Sequence, residues 1–520
     1  MKLNYKRTIL VGFAFFLISA FWQAYDATIP VILTNKFGMS QTWSGVIMAF
    51  DNILAVFMLP LFGAISDKCN TKMGKRTPFV LVGTVIAAIA LVGLSFVDNA
   101  QLKNISAVSK LDDPASLTVI YETQADKKLQ TPEGEVFVLG NKYDKDAFTQ
   151  IKSTIVDKNG DEVTNEAYIN YVVPARQAYA AQQTEKNDTP LILFIGLLLV
   201  LLVAMATYRS PAVALMPDVT VKPLRSKANA IINLMGTAGG ILVLVLGIVF
   251  ATSAVENQLM NYYVYYGIVA GIMLVALIVF ILTVREKDWS AQMREDSVAL
   301  GIREEEETEQ VGEKRKLSPG EIRSMVLILL SIVLWYFGYN AITSKYAVYA
   351  GNVLDMDYNT TLLIAQGAAI VSYLPAGIVA SKIGRKKTIL AGVVLLASAF
   401  GAASFMDAGS SVVLMDVLFA IAGIGWATIN VNSFPMVVEM CSGGDIGKYT
   451  GYYYTASMSA QIVTPMLSGY LMDMDGVGMR VLFPYAAVFV ALAFVTMFFV
   501  KHGDTRPESK RGLEALDIDD

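Results

Sequence analysis

The hydrophobic positions of this chain fall into long unbroken runs, not alternating stripes. The run LILFIGLLLVLLVAMATY, from Leu191 to Tyr208, carries no charge. At ~1.5 Å per residue, about 20 such helical residues cross the ~30 Å hydrocarbon core of a bilayer. The same pattern predicts twelve spanning helices, near 8–33, 42–65, 79–97, 191–217, 228–253, 262–284, 325–343, 360–380, 388–406, 411–438, 449–472 and 481–500. The opening MKLNYKR before an apolar run resembles a signal peptide in charge layout. That run continues to about Leu33 with no small-x-small stop, so it reads as the first helix.

One stretch breaks the pattern. Residues 98–190 are hydrophilic, and alternating runs such as GEVFVLGNKY predict short strands there. The expected architecture is therefore an all-α membrane protein of twelve helices with a small extracytoplasmic insert that holds some β structure. The insert is either a cap over a mouth or a ligand-binding module. The expected units are 1–97 (helices 1–3), 98–190 (insert), 191–284 (helices 4–6), 285–324 (a charged, partly helical linker), 325–502 (helices 7–12) and 503–520 (tail).

Composition agrees: 54% of the 520 residues are hydrophobic and only 17% are charged. The placement of charge adds orientation. Lys68, Lys72, Lys75, Arg76, Lys222, Arg225, Lys227, Lys382, Arg385, Lys386, Lys387 and Lys448 all fall in connections on one side, which the positive-inside rule assigns to the cytoplasm with both termini. A multi-pass plasma-membrane protein is expected. Cys69 and Cys441 lie in loops on that same side, so no disulfide framework is implied. The acidic cluster Glu304 to Glu307 of the linker reads as solvated surface.

The two halves echo each other. GAISDKCNTKMGKRTP begins at Gly63 and GIVASKIGRKKTI at Gly377, and the same offset lays Trp22, Tyr25 and Asp26 over Tyr336, Tyr339 and Asn340. Downstream, SPAVALMPD ending at Asp218 matches NSFPMVVE ending at Glu439, with the offset reduced by the length of the insert. A duplicated six-helix unit, interrupted once, accounts for all three matches.

Gly63, Asp67 and Lys68 followed by Gly74, Lys75 and Arg76 resemble the loop signature between helices 2 and 3 of the major facilitator superfamily. Within it, LPLFGAISDKCNTKMGKRTPFVLVG (59–83) and SPAVALMPD with RSKANA are similar to the sucrose/proton symporters and, more distantly, to glycoside-pentoside-hexuronide symporters. The resemblance implies two six-helix halves rocking about a midplane site, a cytoplasmic charge gate, and a sugar moved with protons. Asp218 is expected to complete that gate with Arg76 and Asp67, and Glu439 to repeat its role. Two departures stand out. The symporters' helix 4 arginine corresponds to Val213, with Arg209 one turn earlier, and the distant family's cation-binding carboxylates correspond to Ala55 and Leu59, which argues against a sodium site of that type.

The first apolar run holds an aspartate. Ser19, Gln23, Asp26 and Pro30 share one helical face, and a charged aspartate deep in a bilayer costs at least ~2.5 kcal/mol, so that face should meet a wet cavity. Asp26 either couples protons or simply stays hydrated near the mouth. Asp51 on helix 2 lies at similar depth and is a candidate neighbour; Arg209 looks too far along helix 4 for a direct pair with Asp26. It is expected to hold the cavity floor or a substrate hydroxyl, or else to pair with another helix.

Sugar recognition uses amides for hydroxyls and aromatic faces for the ring. Trp22 and Gln23, Asn229 and Asn233, Trp335, Tyr336, Tyr339 and Asn340, Gln366 and Tyr373, Trp426 and Asn430, and Tyr454 and Gln461 supply both from helices 1, 5, 7, 8, 10 and 11. There is no Walker loop, metal-ligand spacing or Gly-x-Ser-x-Gly, so no enzyme activity, cofactor, metal or nucleic acid is expected. The lone histidine, His502, lies past the last span. The expected function is proton-coupled import of a glycoside or disaccharide by a monomer. A drug or metabolite exporter of the same fold and a non-transporting receptor are the alternatives.

Overall fold

The computed structural model describes residues 3–156, 162–221, 224–299, 317–438, 440 and 446–503. Helix α1 (Tyr5–Asn35) opens the chain, capped by the Asn4 side chain, which accepts from Arg7 N. The second span is two collinear pieces, α2 (Gln41–Met48) and α3 (Phe50–Lys68), followed by α4 (Thr77–Asn104). The insert contains α5 (Pro114–Gln124), strands β1 (Lys128–Gln130) and β2 (Val136–Val138), α6 (Leu139–Lys142), α7 (Lys145–Thr149), strands β3 (Thr154–Val156) and β4 (Glu162–Thr164), and α8 (Val173–Lys186). Then come α9 (Thr189–Asp218), α10 (Arg225–Val249), α11 (Tyr263–Thr283) and the linker helix α12 (Glu286–Ala299). The second half is α13 (Pro319–Tyr349), α14 (Tyr358–Ile383), α15 (Arg385–Ala403), α16 (Val412–Val438), α17 (Ile446–Asp473) and α18 (Leu482–Phe498).

Among the described residues, eleven helices are long and apolar enough to cross a membrane. Helix α17 is the twelfth by position and length, at 28 residues, but its GYYYTASMSAQ segment is too polar to register by apolarity. A helix that turns polar side chains to neighbours and not to lipid need not be apolar throughout.

The spans form two bundles with separate cores. Phe21, Leu94, Leu198 and Tyr266 are among the buried residues of the first, drawn from α1, α4, α9 and α11. Trp335, Leu396, Phe419 and Phe483 belong to the second, drawn from α13, α15, α16 and α18. Ala27 and Val31 of α1 pack into the second core, so α1 is one of the places where the halves meet, with α2 against α17 as another. Gly338 lets α13 lie against Ala486 and Val490 of α18, where a Cβ would overlap the Ala486 carbonyl.

The insert has its own core, including Leu117, Phe137, Phe148, Tyr168 and Val172. Its two sheets are hairpins, β1–β2 with Lys128 opposite Val138 and β3–β4 with Thr154 opposite Thr164. The alternation in GEVFVLGNKY predicts one longer strand, but only Val136–Val138 pairs; the chain then turns into α6, where buried Leu139 and the Gly140 N–H, which donates to Ala125 O, fix it. Glu439, Lys222, Cys441 and the cluster Glu304–Glu307 lie outside the described residues.

Candidate functional site

Between the bundles lies a cavity of about 930 Å³. Helix α1 lines it with Phe15, Ile18, Ser19, Trp22, Gln23, Asp26 and Ala27, a stripe at spacings of three and one that is the wet face read from the sequence. Arg209 comes from α9, and Asn229, Asn233 and Thr237 come from α10. The other half supplies Tyr339 and Thr343 from α13, Gln366 and Tyr373 from α14, and Trp426 and Asn430 from α16. The two halves touch directly inside it, where Gln366 Nε2 donates to Gln23 Oε1 at 2.6 Å. Tyr339 and Trp426 stack face to face, 3.6 Å between centroids and 2° between planes.

A smaller polar chamber of about 190 Å³ opens beside it and shares Trp22, Asp26, Arg209 and Thr343. Asp51, Asn52, Asn340, Ser344 and Gln461 complete its polar wall. Asp26 and Asp51 therefore face one chamber, as their depths suggest. Asn52 Nδ2 donates to Asp51 Oδ1 at 2.6 Å. Trp22 Nε1 and Tyr25 Oη are buried and have no hydrogen-bond partner among the described residues. Arg209 is nearer to the carboxylates than helix rise alone suggests, since it lines both cavities with Asp26. It forms no ion pair among the described residues; its guanidinium instead sits 5.6 Å from the Trp22 ring centroid. The neighbouring Val213 is half exposed and lines neither cavity.

Five of the amide and aromatic candidates stand outside the large cavity. Trp335, one turn before the first cavity-lining residue of α13, Tyr339, is fully buried in the second core and does not line the cavity. Tyr336 packs edge-on against Trp426 at 5.3 Å. Tyr454 is half exposed and lines neither cavity. Asn340 and Gln461 serve the small chamber, not the large cavity, and both also donate to backbone carbonyls, of Tyr336 and Ser457.

The loop signature forms a compact charge cluster at the bundle end that carries the termini. Arg76, 6% exposed, donates Nε to Asp218 at 2.8 Å and its other nitrogens to Asp67, Ser66 Oγ and the Gly63 carbonyl. Its pKa is raised, because the Asp218 and Asp67 hydrogen bonds and charges outweigh desolvation, which by itself lowers it most. Lys68 and Lys75 extend from the surface and form no ion pair among the described residues. Glu286, at the start of α12, was hidden in a sequence that reads as solvated linker. Its carboxylate accepts from the backbone N–H groups of Lys75, Arg76 and Thr77 and from Thr77 Oγ1, capping α4. Gly74, with φ +117°, leaves the space that this carboxylate fills.

The opposite end, beside the insert, is held shut by contacts between the halves that the sequence did not signal. Asp473, the last residue of α17, accepts from Gln41 N at 2.9 Å, Thr42 N at 2.6 Å and Thr42 Oγ1 at 2.6 Å, capping α2 across the boundary. Buried Lys345 of α13 donates to Gln41 O at 2.6 Å. Gly45 and Gly469 bring the α2 and α17 backbones together. On the other flank Ser253 Oγ donates to Asp357 Oδ1 at 2.6 Å, and Thr252 Oγ1 and Tyr358 Oη share a hydrogen bond of 2.7 Å. The terminal end has no such seal among the described residues, and cavity-lining Leu234 is 53% exposed there.

A family model described as Major Facilitator Superfamily matches residues 180–372 and 358–517, and one described as MFS/sugar transport protein matches residues 10–103. A sucrose transport protein of Arabidopsis thaliana is 33% identical over 71 residues, 14% of this chain and 14% of that protein. Proton-associated sugar transporter A of Homo sapiens is 36% identical over 72 residues, 14% of this chain and 9% of its own length. The chain thus matches about one seventh or less of these relatives. Among solved structures, the inward-open xylose transporter of E. coli superimposes with a TM-score of 0.61 at 14% identity, covering 99% of both chains. A peptide transporter bound to sulfate gives a TM-score of 0.57 at 10% identity, over 95% of this chain and 93% of that one. At such identities the likeness is one of fold.

Proposed function

The chain belongs to the major facilitator superfamily, and on that premise we propose that it is a secondary active transporter that imports a glycoside or disaccharide together with protons. The family and fold are those of multi-pass membrane transporters. The observation that carries the reading is the cavity itself. At about 930 Å³ it has room for a disaccharide, and it offers amides from both halves beside the flat Tyr339–Trp426 pair. Gln23 and Gln366 satisfy each other across the halves when nothing lies between them, and a sugar hydroxyl is the kind of group that can replace that bond.

In this reading the terminal end faces the cytoplasm of a plasma-membrane protein acting as a monomer. The structure then represents the state open inward and sealed outward. Alternating access breaks the Asp473 and Asp357 seals and closes the terminal end. Asp26 is the proton-linked carboxylate, with Asp51 as its partner in the side chamber. When both are unprotonated, two negative charges share one small volume, so proton uptake by one relieves the repulsion. Arg209 and Trp22 line both chamber and cavity, and in this reading they link proton occupancy of one to substrate occupancy of the other.

Uptake of labelled sucrose, maltose and related glucosides into proteoliposomes under an inward proton gradient tests this. The native chain should accumulate one of them above equilibrium, and Asp26→Asn should retain exchange while losing accumulation. Gradient-driven uptake that survives Asp26→Asn removes the proton role from this residue.

A further inference from the structure

The insert is attached to the two halves in different ways. On the first half it is rooted by buried contacts. Its core includes Val255 and Leu259 from the connection after α10. Arg176, 1% exposed, donates to Gln258 Oε1 at 2.6 Å. Gln101 donates to Lys36 O at 2.7 Å, and Thr184 to Phe37 O at 3.0 Å. Gly38, with φ +67°, lies against the backbone of α8 so closely that no side chain fits.

On the second half, among the described residues, it is held at its rim. The tip of the β1–β2 hairpin reaches the connection between α17 and α18. Met479 N donates to Pro132 O at 2.7 Å, and Gly476 N to Gly134 O at 3.0 Å. Around these, Lys128 pairs with Asp475 at 2.8 Å, Arg480 pairs with Glu133, and Gln130 Nε2 donates to Met474 O at 2.8 Å. The ion-pair side chains are exposed and Gln130 is partly buried. Gly134 and Gly478, both at positive φ, interlock backbone on backbone. A second rim contact runs from Thr164 Oγ1 to Asp355 Oδ1 at 2.5 Å.

We propose that the insert is a strap that rides with the first half, bridges the mouth, and holds the insert end closed through the hairpin clasp until rocking releases it. The asymmetry is the argument. A shared apolar core and fully buried side-chain hydrogen bonds make a permanent root, whereas two backbone hydrogen bonds at a hairpin tip flanked by exposed ion pairs exchange more readily for water and suit a contact made and broken in each cycle. The hairpin grips the segment directly after Asp473, so clasp and helix seal act on the same end of α17. This inference rests on the alternating-access reading above.

The test needs no substrate. In the full chain with Cys69 and Cys441 replaced by serine, spin labels at Trp43→Cys and Phe405→Cys, both exposed at the insert end, report the separation of the halves. The variant Lys128→Ala/Glu133→Ala/Gln130→Ala removes the side-chain clasp from the exposed rim and leaves both cores untouched. It should raise the open, longer-distance population by about 5- to 30-fold relative to closed. Oxidising Pro132→Cys/Met479→Cys, joined by the 2.7 Å backbone bond, should leave the short distance alone, and reduction should restore the rest. An unchanged distribution in the triple variant, or an open population that persists after cross-linking, overturns the strap. Failure to find a transported sugar leaves these distances unaffected and counts against the substrate reading alone.

Discussion

Gly45 is where the closed insert end can be perturbed most sharply. A Cβ built there overlaps the carbonyl of Pro465 on α17, and backbone cannot swing aside as a side chain can. Gly45→Ala should therefore act as a wedge between α2 and α17 in the closed state only. Overpacking by one methyl in a tight interface costs about 1–3 kcal/mol. At 1.4 kcal/mol per tenfold, the closed-to-open ratio falls by about 5- to 140-fold. While the open state stays the minor one, access to the cavity from the insert side rises by the same factor. A single cysteine at Thr343, which lines both cavities, reports this through its rate of reaction with a membrane-impermeant maleimide in oriented vesicles. Labelling from the insert side should rise at least fivefold. Equal rates in Gly45→Ala and the parent, with both folded, would refute the idea that this backbone contact is part of the seal.

Three further outcomes follow from the same structure. Lys36 and Asp98, both fully buried, form an ion pair at 2.6 Å that also satisfies Met260 O, so Lys36→Met should destabilise the fold by about 3–5 kcal/mol by stranding the aspartate, and adding Asp98→Leu should recover most of it in thermal unfolding. Burial alone would raise the Asp357 carboxyl, but hydrogen bonds from Ser253, Thr360 and Asn359 hold it below the usual carboxylate range. A depressed folded pKa means its stabilisation is complete above about pH 4 and fades as pH falls further, so the spin-label distance between positions 43 and 405 should lengthen below that point and lose the dependence in Asp357→Asn. Arg76→Lys keeps the charge but not the fork that reaches Asp218, Asp67 and Ser66 at once, and should lower the stability of the first half by about 1.5–3 kcal/mol, read as a lower unfolding midpoint.

Much of the fold is a local property of the sequence. Transfer of a side chain into hydrocarbon is a per-residue free energy, so each apolar run declares its own span, and the stripe Ser19, Gln23 and Asp26 declares which face of α1 is wet. The glycines and charges of the 63–76 loop also act within one short segment, and Arg76 meets Asp67 as the motif implies. What the tertiary structure alone decided is how each helix is turned about its axis and which distant segments meet. Trp335 and Trp426 look equivalent in sequence, yet one fills a core and the other walls the cavity. Arg209 reaches the chamber of Asp26, Glu286 caps α4 from 209 or more positions away, and Asp473 caps α2 across the halves. In a membrane the hydrophobic effect does not choose among helix partners, since lipid is as apolar as leucine. Close glycine contacts and single hydrogen bonds between remote residues make that choice, and neither leaves a periodic trace in the chain.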